Sequence, residues 1–419
     1  MRELILSGGE KLSGEVRIHG SKNASLPILF ASLLFSEPIE LSGLPDITDV
    51  SAALSLLSSL GVKVTRRGRE TVILDPENAV PGALDPVLSG SLRGSVYLLG
   101  ASCGRLYQMT VPHPGGCNFG TRPINLHLAA FGALGLSVSE NETGVSVSGR
   151  PKGAAFHFST ISVGATVNAI LAAALAKGRT VLTGTAQEPH VMDLISFLRS
   201  AGARIASPAP GTLVIDGVKR LRGVSYRICP DMIEAGTYLL FATATGGAVA
   251  LRDCPPGQLA PLFPLLSGMG AKIGAGVDAV SLTAPDRVKP IRAITAPYPG
   301  FPTDLQPQLT ALACLADGQS AVSDPVFPTR FGYVSELGRM GAKITVRDGC
   351  AVIEGGARLV GQNVTAPDLR AGAALTLAAL AAEGESRISR FDRIERGYAD
   401  YVNNLSSLGA RVTLSDGDA

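Results

Sequence analysis

The sequence predicts an α/β protein built as two pseudo-threefold domains, with helices buried inside each domain and sheets on its outside. Three observations predict this. A short pattern recurs six times along the chain. A second helix, apolar on most sides, accompanies each recurrence. The 419 residues exceed what one hydrophobic core usually holds.

The recurring pattern is an amphipathic run, a small or apolar residue, a glycine and a β-rich segment. It reads S-L-G-V-K-V at Gly61, A-L-G-L-S-V at Gly135 and S-A-G-A-R-I at Gly202. It returns as G-M-G-A-K-I at Gly270, R-M-G-A-K-I at Gly341 and S-L-G-A-R-V at Gly409. The gaps are 74, 67, 68, 71 and 68 residues. Internal periodicity of this length marks a repeated architecture.

Each element has its own reason. The run before the glycine is spaced as a helix, as in Val191, Leu194, Ile195 and Leu198. The glycine stands where a helix end needs positive φ. The next segment alternates, as in Lys343-Ile344-Thr345-Val346-Arg347, and reads as a strand. The second helix is rich in Ala, Leu and Val, so it is expected to be buried on most sides. Its copies are Leu26–Leu34, Ser95–Ala101, Val167–Ala176, Thr237–Ala242, Leu309–Ala316 and Ala373–Ala382. A strand follows each copy, such as Thr180-Val181-Leu182-Thr183. The unit is helix–strand–helix–strand–strand.

Composition excludes other classes. Apolar residues are 46% and the net charge is +2, against a disordered chain. The 37 basic and 35 acidic residues balance, against a general nucleic-acid or membrane-surface role. The first ten residues carry an early acid and a three-residue apolar stretch, unlike a signal peptide. Leu26 to Phe35 is about half a membrane span. Cys103, Cys117, Cys229, Cys254, Cys314 and Cys350 lie far apart, with no C-x-x-C pair. That spacing argues against a metal site or disulfide framework and fits a cytoplasmic protein.

Candidate functional residues lie where the buried helices begin. Lys22 and Asn23, Arg93, and Arg370 precede three of them, although helix N-termini repel cations. Ser162-Val163-Gly164 precedes a fourth, Asp231 and Glu234 a fifth, and Asp304 a sixth. Free N–H groups with added cations make an anion site. Residues that break a local rule in this way are functional candidates. A second cluster is the segment Pro114 to Pro123, where three glycines surround Cys117 and Arg122 favours a thiolate. A third combines Asp304, Arg330 and Arg396. By itself Asp304 also reads as a helix N-cap. No phosphate-binding G-x-x-x-x-G-K loop, dinucleotide fingerprint or serine elbow is present.

These residues together resemble the enolpyruvyl transferases. The resemblance rests on Ser21-Lys22-Asn23-Ala24-Ser25-Leu26-Pro27, the Pro114–Pro123 segment and Ser162-Val163-Gly164-Ala165-Thr166-Val167. It continues through Phe301-Pro302-Thr303-Asp304, Asp368-Leu369-Arg370 and Arg396-Gly397-Tyr398, and so runs the length of the chain. It implies two inside-out α/β barrel domains of three βαβαββ-type repeats each, with a cleft between them. The domains would be 21–229, and 1–20 plus 230–419.

The resemblance also implies an activity. The enolpyruvyl group of phosphoenolpyruvate would pass to the 3-hydroxyl of UDP-N-acetylglucosamine with release of phosphate. That is the first committed step of peptidoglycan precursor synthesis, and it ties the protein to cell shape, cell cycle and division. Lys22, Arg122 and Arg396 would face the phosphate, with Arg93 supporting. Arg330 and Arg370 would take the carboxylate. Asp304 would be the general base. Cys117 would protonate the methylene carbon, hold phosphoenolpyruvate covalently and be the fosfomycin target. Asn23, Asp304 and the backbone of Val326 would hold the amino sugar. Arg122, Pro123, Asn125 and Leu126 would frame the uracil, and Ser162, Val163 and Gly164 the diphosphate. No cofactor or metal is expected, phosphoenolpyruvate being a co-substrate. The partners are these small molecules alone, without nucleic acid or membrane, and the protein is expected to be a monomer.

Some positions depart from the family pattern. Asn125, Thr160, His190, Met232 and Pro328 stand where the family commonly has Asp, Lys, Glu, Arg and Glu. Most lie on the nucleotide side, so a different acceptor is the alternative: a uridine nucleotide or shikimate 3-phosphate. A further alternative is an inactive UDP-sugar-binding paralogue.

Overall fold

A computed structural model describes residues 2–82, 84–113 and 123–416. The described residues form two compact units. The N-terminal unit holds 20–113 and 123–229, and the C-terminal unit holds 2–19 and 230–416.

The chain opens with β1 (Arg2–Ser7) and β2 (Ser13–Arg17). The N-terminal unit begins with α1 (Lys22–Ala31), β3 (Ile39–Ser42), α2 (Thr48–Ser59), β4 (Lys63–Arg66) and β5 (Val72–Asp75). Its second repeat is α3 (Pro86–Ser91), α4 (Tyr97–Cys103), β6 (Gln108–Val111), α5 (Asn125–Ala133), β7 (Ser137–Asn141) and β8 (Gly144–Ser148). Its third is β9 (Ala155–His157), α6 (Val163–Ala173), β10 (Arg179–Thr183), α7 (Pro189–Ser200), β11 (Arg204–Ala209) and β12 (Thr212–Asp216), and β13 (Ser225–Arg227) ends the unit.

The C-terminal unit repeats the plan. First come α8 (Met232–Ala244), β14 (Ala248–Arg252), α9 (Phe263–Gly268), β15 (Lys272–Ala275) and β16 (Ala279–Thr283). Next are β17 (Arg292–Ile294), α10 (Gln306–Ala313), β18 (Ser320–Ser323), α11 (Val334–Arg339), β19 (Ile344–Arg347) and β20 (Cys350–Ile353). The last repeat is β21 (Asn363–Thr365), α12 (Leu369–Ala381), β22 (Glu385–Ser389), α13 (Tyr401–Ser407) and β23 (Arg411–Asp416).

Each repeat carries its own small sheet. Five sheets have four strands and one, β6-β8-β7, has three among the described residues. In the four-stranded sheets a three- to five-residue strand lies parallel beside an antiparallel meander, as β9 beside β10 and β17 beside β18. Two of these parallel strands are exchanged. β2 precedes α1 in sequence but pairs with β14, from Ser13↔Ala248 to Arg17↔Arg252. β13 precedes α8 but pairs with β3. The last sheet borrows as well: β1 lies between β22 and β23, antiparallel to both. Alternation drives this insertion, since Leu4 and Leu6 are both fully buried. Each such side chain is worth about 1.5–3 kcal/mol.

The apolar helices form the interior of each unit, as predicted. In the N-terminal unit α4 packs against α1 and α6. In the C-terminal unit α10 packs against α12 and α8. All eight residues of α10 are buried. The Nε2 of its polar Gln308 donates to Thr237 Oγ1 at 3.1 Å and Tyr398 OH at 3.3 Å. Side-chain caps start four central helices. Ser21 accepts from Ala24 N–H, Ser162 from Ala165 N–H, Asp231 from Ile233 N–H, and Asp368 from Arg370 N–H.

The six repeat glycines end the amphipathic helices α2, α5, α7, α9, α11 and α13. Their φ values run from +76° at Gly135 to +103° at Gly270 and Gly341, a region costly for any residue with a Cβ. Among the described residues no group of three or more His, Cys, Asp or Glu is placed to hold a metal ion. None of their helices is long and apolar enough to cross a membrane.

Candidate functional site

The starts of the central helices carry the expected residues. In the N-terminal unit Lys22 is the first residue of α1 and Asn23 the second, both half-buried. Lys22 Nζ lies 2.8 Å from Asp49 Oδ2, in the first turn of α2. Arg93 opens the 3-10 turn Arg93–Val96 that leads into α4. Asn125 and Leu126 begin α5, with Pro123 exposed just before it. Ser162 caps α6, and Val163 and Gly164 are its first two residues. Cys117 and Arg122 lie outside the described residues.

In the C-terminal unit three expected residues meet. Asp304 Oδ1 lies 2.8 Å from Arg330 Nη1, and Asp304 Oδ2 lies 3.0 Å from Arg370 Nη2. Both guanidiniums are almost wholly buried, while the Asp304 side chain keeps 25% of its exposure. Burial alone would raise the Asp304 pKa. The fields and hydrogen bonds of Arg370 and Arg330 outweigh it and hold the carboxyl well below its usual range. Burial likewise works against the Arg370 charge, and Asp304 restores it. The N-cap reading of Asp304 is corrected here. It lies inside the 3-10 turn Thr303–Leu305, whose N-cap is Pro302, and its two oxygens accept from arginines.

Arg330 is further fixed by Thr303, whose carbonyl and hydroxyl accept at 3.2 and 3.3 Å. Thr303 is in turn oriented by Asp324, which accepts its hydroxyl at 2.6 Å. Asp324 also accepts the Val326 N–H at 3.1 Å, so the Val326 backbone keeps only its carbonyl for a ligand. Arg370 lies over the Tyr398 ring, 5.5 Å from its centroid. Arg396 is half-buried in the turn that follows Phe391–Arg393.

Two organisers were missed in the sequence. Asp49 stands at a helix start, where an acid is favoured for the dipole alone. Asp324 precedes a proline and reads as a turn residue. Neither carries a signal beyond its local role. Among the departures, Met232 is buried as the first residue of α8, His190 is half-buried on α7, and Asn125, Thr160 and Pro328 are exposed.

Two buried arginines of the C-terminal unit thus hold an internal carboxylate. A family model described as EPSP synthase (3-phosphoshikimate 1-carboxyvinyltransferase) matches residues 6–405. The chain belongs to this family. A member from Listeria monocytogenes serotype 4b, named UDP-N-acetylglucosamine 1-carboxyvinyltransferase 2, is 40% identical over 99% of this chain and 98% of its own. The enolpyruvyl transferase NikO from Streptomyces tendae superposes with a TM-score of 0.91 at 27% identity, covering 100% of this chain and 99% of its own. An EPSP synthase from Acinetobacter baumannii shares the fold, with a TM-score of 0.77 at 17% identity over 99% and 100% of the two chains. The family expected from the motifs is the family found, and its mixed α/β repeat architecture is the one expected.

Proposed function

We propose that this protein transfers the enolpyruvyl group of phosphoenolpyruvate to the 3-hydroxyl of UDP-N-acetylglucosamine, releasing phosphate for peptidoglycan precursor synthesis. One observation carries the reading: a relative named for that transfer is 40% identical over 99% of this chain. In the C-terminal unit, Arg330 and Arg370 bind the phosphoenolpyruvate carboxylate and Arg396 its phosphate. In the N-terminal unit, Lys22, Arg93 and Arg122 bind phosphate, while Pro123, Asn125, Leu126 and Ser162 to Gly164 hold the nucleotide. The amino sugar takes Asn23, Asp304 and the Val326 carbonyl.

The chemistry is an addition followed by an elimination. The sugar oxygen bonds to C2 of phosphoenolpyruvate as Asp304 takes its proton and Cys117 gives a proton to C3. Loss of phosphate from C2 and of a proton from C3 then restores the double bond. The paired arginines explain how Asp304 becomes a base. While they hold Asp304, its proton affinity is low. A substrate carboxylate that engages them lowers the positive field on Asp304 and raises its basicity. The reading needs no cofactor, makes Cys117 the site of fosfomycin alkylation, and places the monomeric protein in the cytoplasm.

The test is phosphate release from phosphoenolpyruvate with a panel of acceptors. Release is expected with UDP-N-acetylglucosamine. Release with another uridine nucleotide or shikimate 3-phosphate only would replace the acceptor, and silence with all of them would leave a binding protein.

A further inference from the structure

His127 is the buried histidine of this chain, only 5% exposed on α5. Its hydrogen bonding fixes its tautomer. Asn168 of α6 accepts the Gly100 N–H through Oδ1 at 3.0 Å. Its Nδ2 donates to the Val96 carbonyl at 3.1 Å, which settles the orientation of the amide. The same Nδ2 lies 2.7 Å from His127 Nδ1. An amide nitrogen only donates, so Nδ1 accepts and the ring proton is on Nε2. Burial first, and then the field of Arg93, keep the ring neutral, with its pKa pushed down to about 3.

The Nε2 edge lies over the first turn of α6. A Cβ placed on Gly164 would stand 3.0 Å from Nε2 and 2.9 Å from Cε1, so only glycine leaves room for the ring. Ser162 satisfies the Ala165 N–H at 3.3 Å and the Thr166 N–H at 3.0 Å. The N–H groups of Val163 and Gly164 have no acceptor within the helix. Nor does His127 Nε2 have an acceptor among the described residues. Three donors therefore surround one helix start, and the most buried of them is locked as a donor.

We infer that His127 is a nucleotide-binding residue, donating Nε2–H to a phosphate oxygen held at the start of α6. This rests on the nucleotide acceptor proposed above. Asn168 is its positioning residue, since it ties the Arg93–Val96 turn, α4 and α5 to α6. A neutral donor suits the place. It completes the anion's hydrogen bonds and adds no second cation beside Arg93.

The test is calorimetric titration of the full chain with UDP-N-acetylglucosamine, together with steady-state kinetics for both substrates. His127→Phe keeps the ring's bulk and removes the donor. Its affinity for the nucleotide is expected to fall about ten- to hundredfold, the worth of a hydrogen bond to a charged acceptor. The KM for phosphoenolpyruvate and kcat should stay within about twofold of wild type. His127→Gln restores a donor and should recover part of the loss, and His127→Leu serves as the donor-free variant if His127→Phe does not fold. Unchanged nucleotide affinity in the donor-free variant would overturn the inference. So would equal weakening of both substrates, the mark of a merely structural ring. If the wild type binds no UDP-N-acetylglucosamine, the proposed function fails by itself. Inorganic pyrophosphate then becomes the probe: binding weakened by His127→Phe supports the donor, and equal binding overturns it.

Discussion

Asp304 has two jobs that conflict. It neutralises two buried guanidiniums, and it is the proposed base. Removing its charge should separate the two. In Asp304→Asn turnover is expected to fall by about 10²–10⁴-fold. Phosphoenolpyruvate should bind as tightly as to wild type or more so, because Arg330 and Arg370 lose their internal competitor. Weaker binding with normal turnover would refute both assignments. The same groups set acid stability. His127 has a folded pKa far below the ordinary histidine value of 6.5, so the unfolded chain takes up its proton first and stability is lost as pH falls below that value. Asp304 is also depressed, so its contribution is present above 3.8 and is lost as pH falls further. Urea unfolding across pH should show the upper window vanish in His127→Gln and the lower one in Asp304→Asn. An unchanged upper window would mean that the ring is protonated in the fold. Lys22, Arg93 and Arg370 were legible in the sequence because a cation at a helix start breaks a rule. Asp49, Asp324 and His127 obey local rules. Their importance comes from partners that only the fold brings near.

The repeated helix–glycine–strand element was read almost completely. Periodicity located all six amphipathic helices, and the glycines marked their ends. Two of these glycines predict different costs. At Gly409, φ is +92° and a Cβ would meet nothing within 4 Å. Gly409→Ala should therefore lose only the conformational term, about 1–2 kcal/mol. At Gly61, φ is +87° and the Cβ would fall 2.6 Å from the Asn78 carbonyl oxygen. Gly61→Ala should cost more than Gly409→Ala in the same denaturant titration, and equal costs would show that the Asn78 segment yields freely. The short parallel strands were not read from the residues and came only with the βαβαββ repeat that the resemblance implies. β9, β13, β17 and β21 have three residues each, too few for a period to show. Their pairing is a long-range fact, as β13 beside β3 shows.

The exchange of β2 and β13 makes the two units unequal as folding units. Residues 20–229 contain every strand of their three sheets. Residues 230–419 do not, because β1 and β2 belong to two of their sheets. Residues 20–229 expressed alone should melt cooperatively by circular dichroism. Residues 230–419 should not, until a peptide of residues 1–19 is supplied. A cooperative melt of 230–419 without the peptide would show that β1 and β2 only decorate the fold.

That inequality has a consequence for synthesis. β1 is made long before its partner β23 (Arg411–Asp416). At about 5–20 residues per second, the wait is roughly 20–80 s. Throughout that interval Leu4 and Leu6, both buried in the finished protein, lack their β23 neighbour, whereas Val16 waits only for β14. The nascent chain thus carries an unpaired apolar strand, a natural handle for a chaperone, until the third repeat of the C-terminal unit emerges and takes it in.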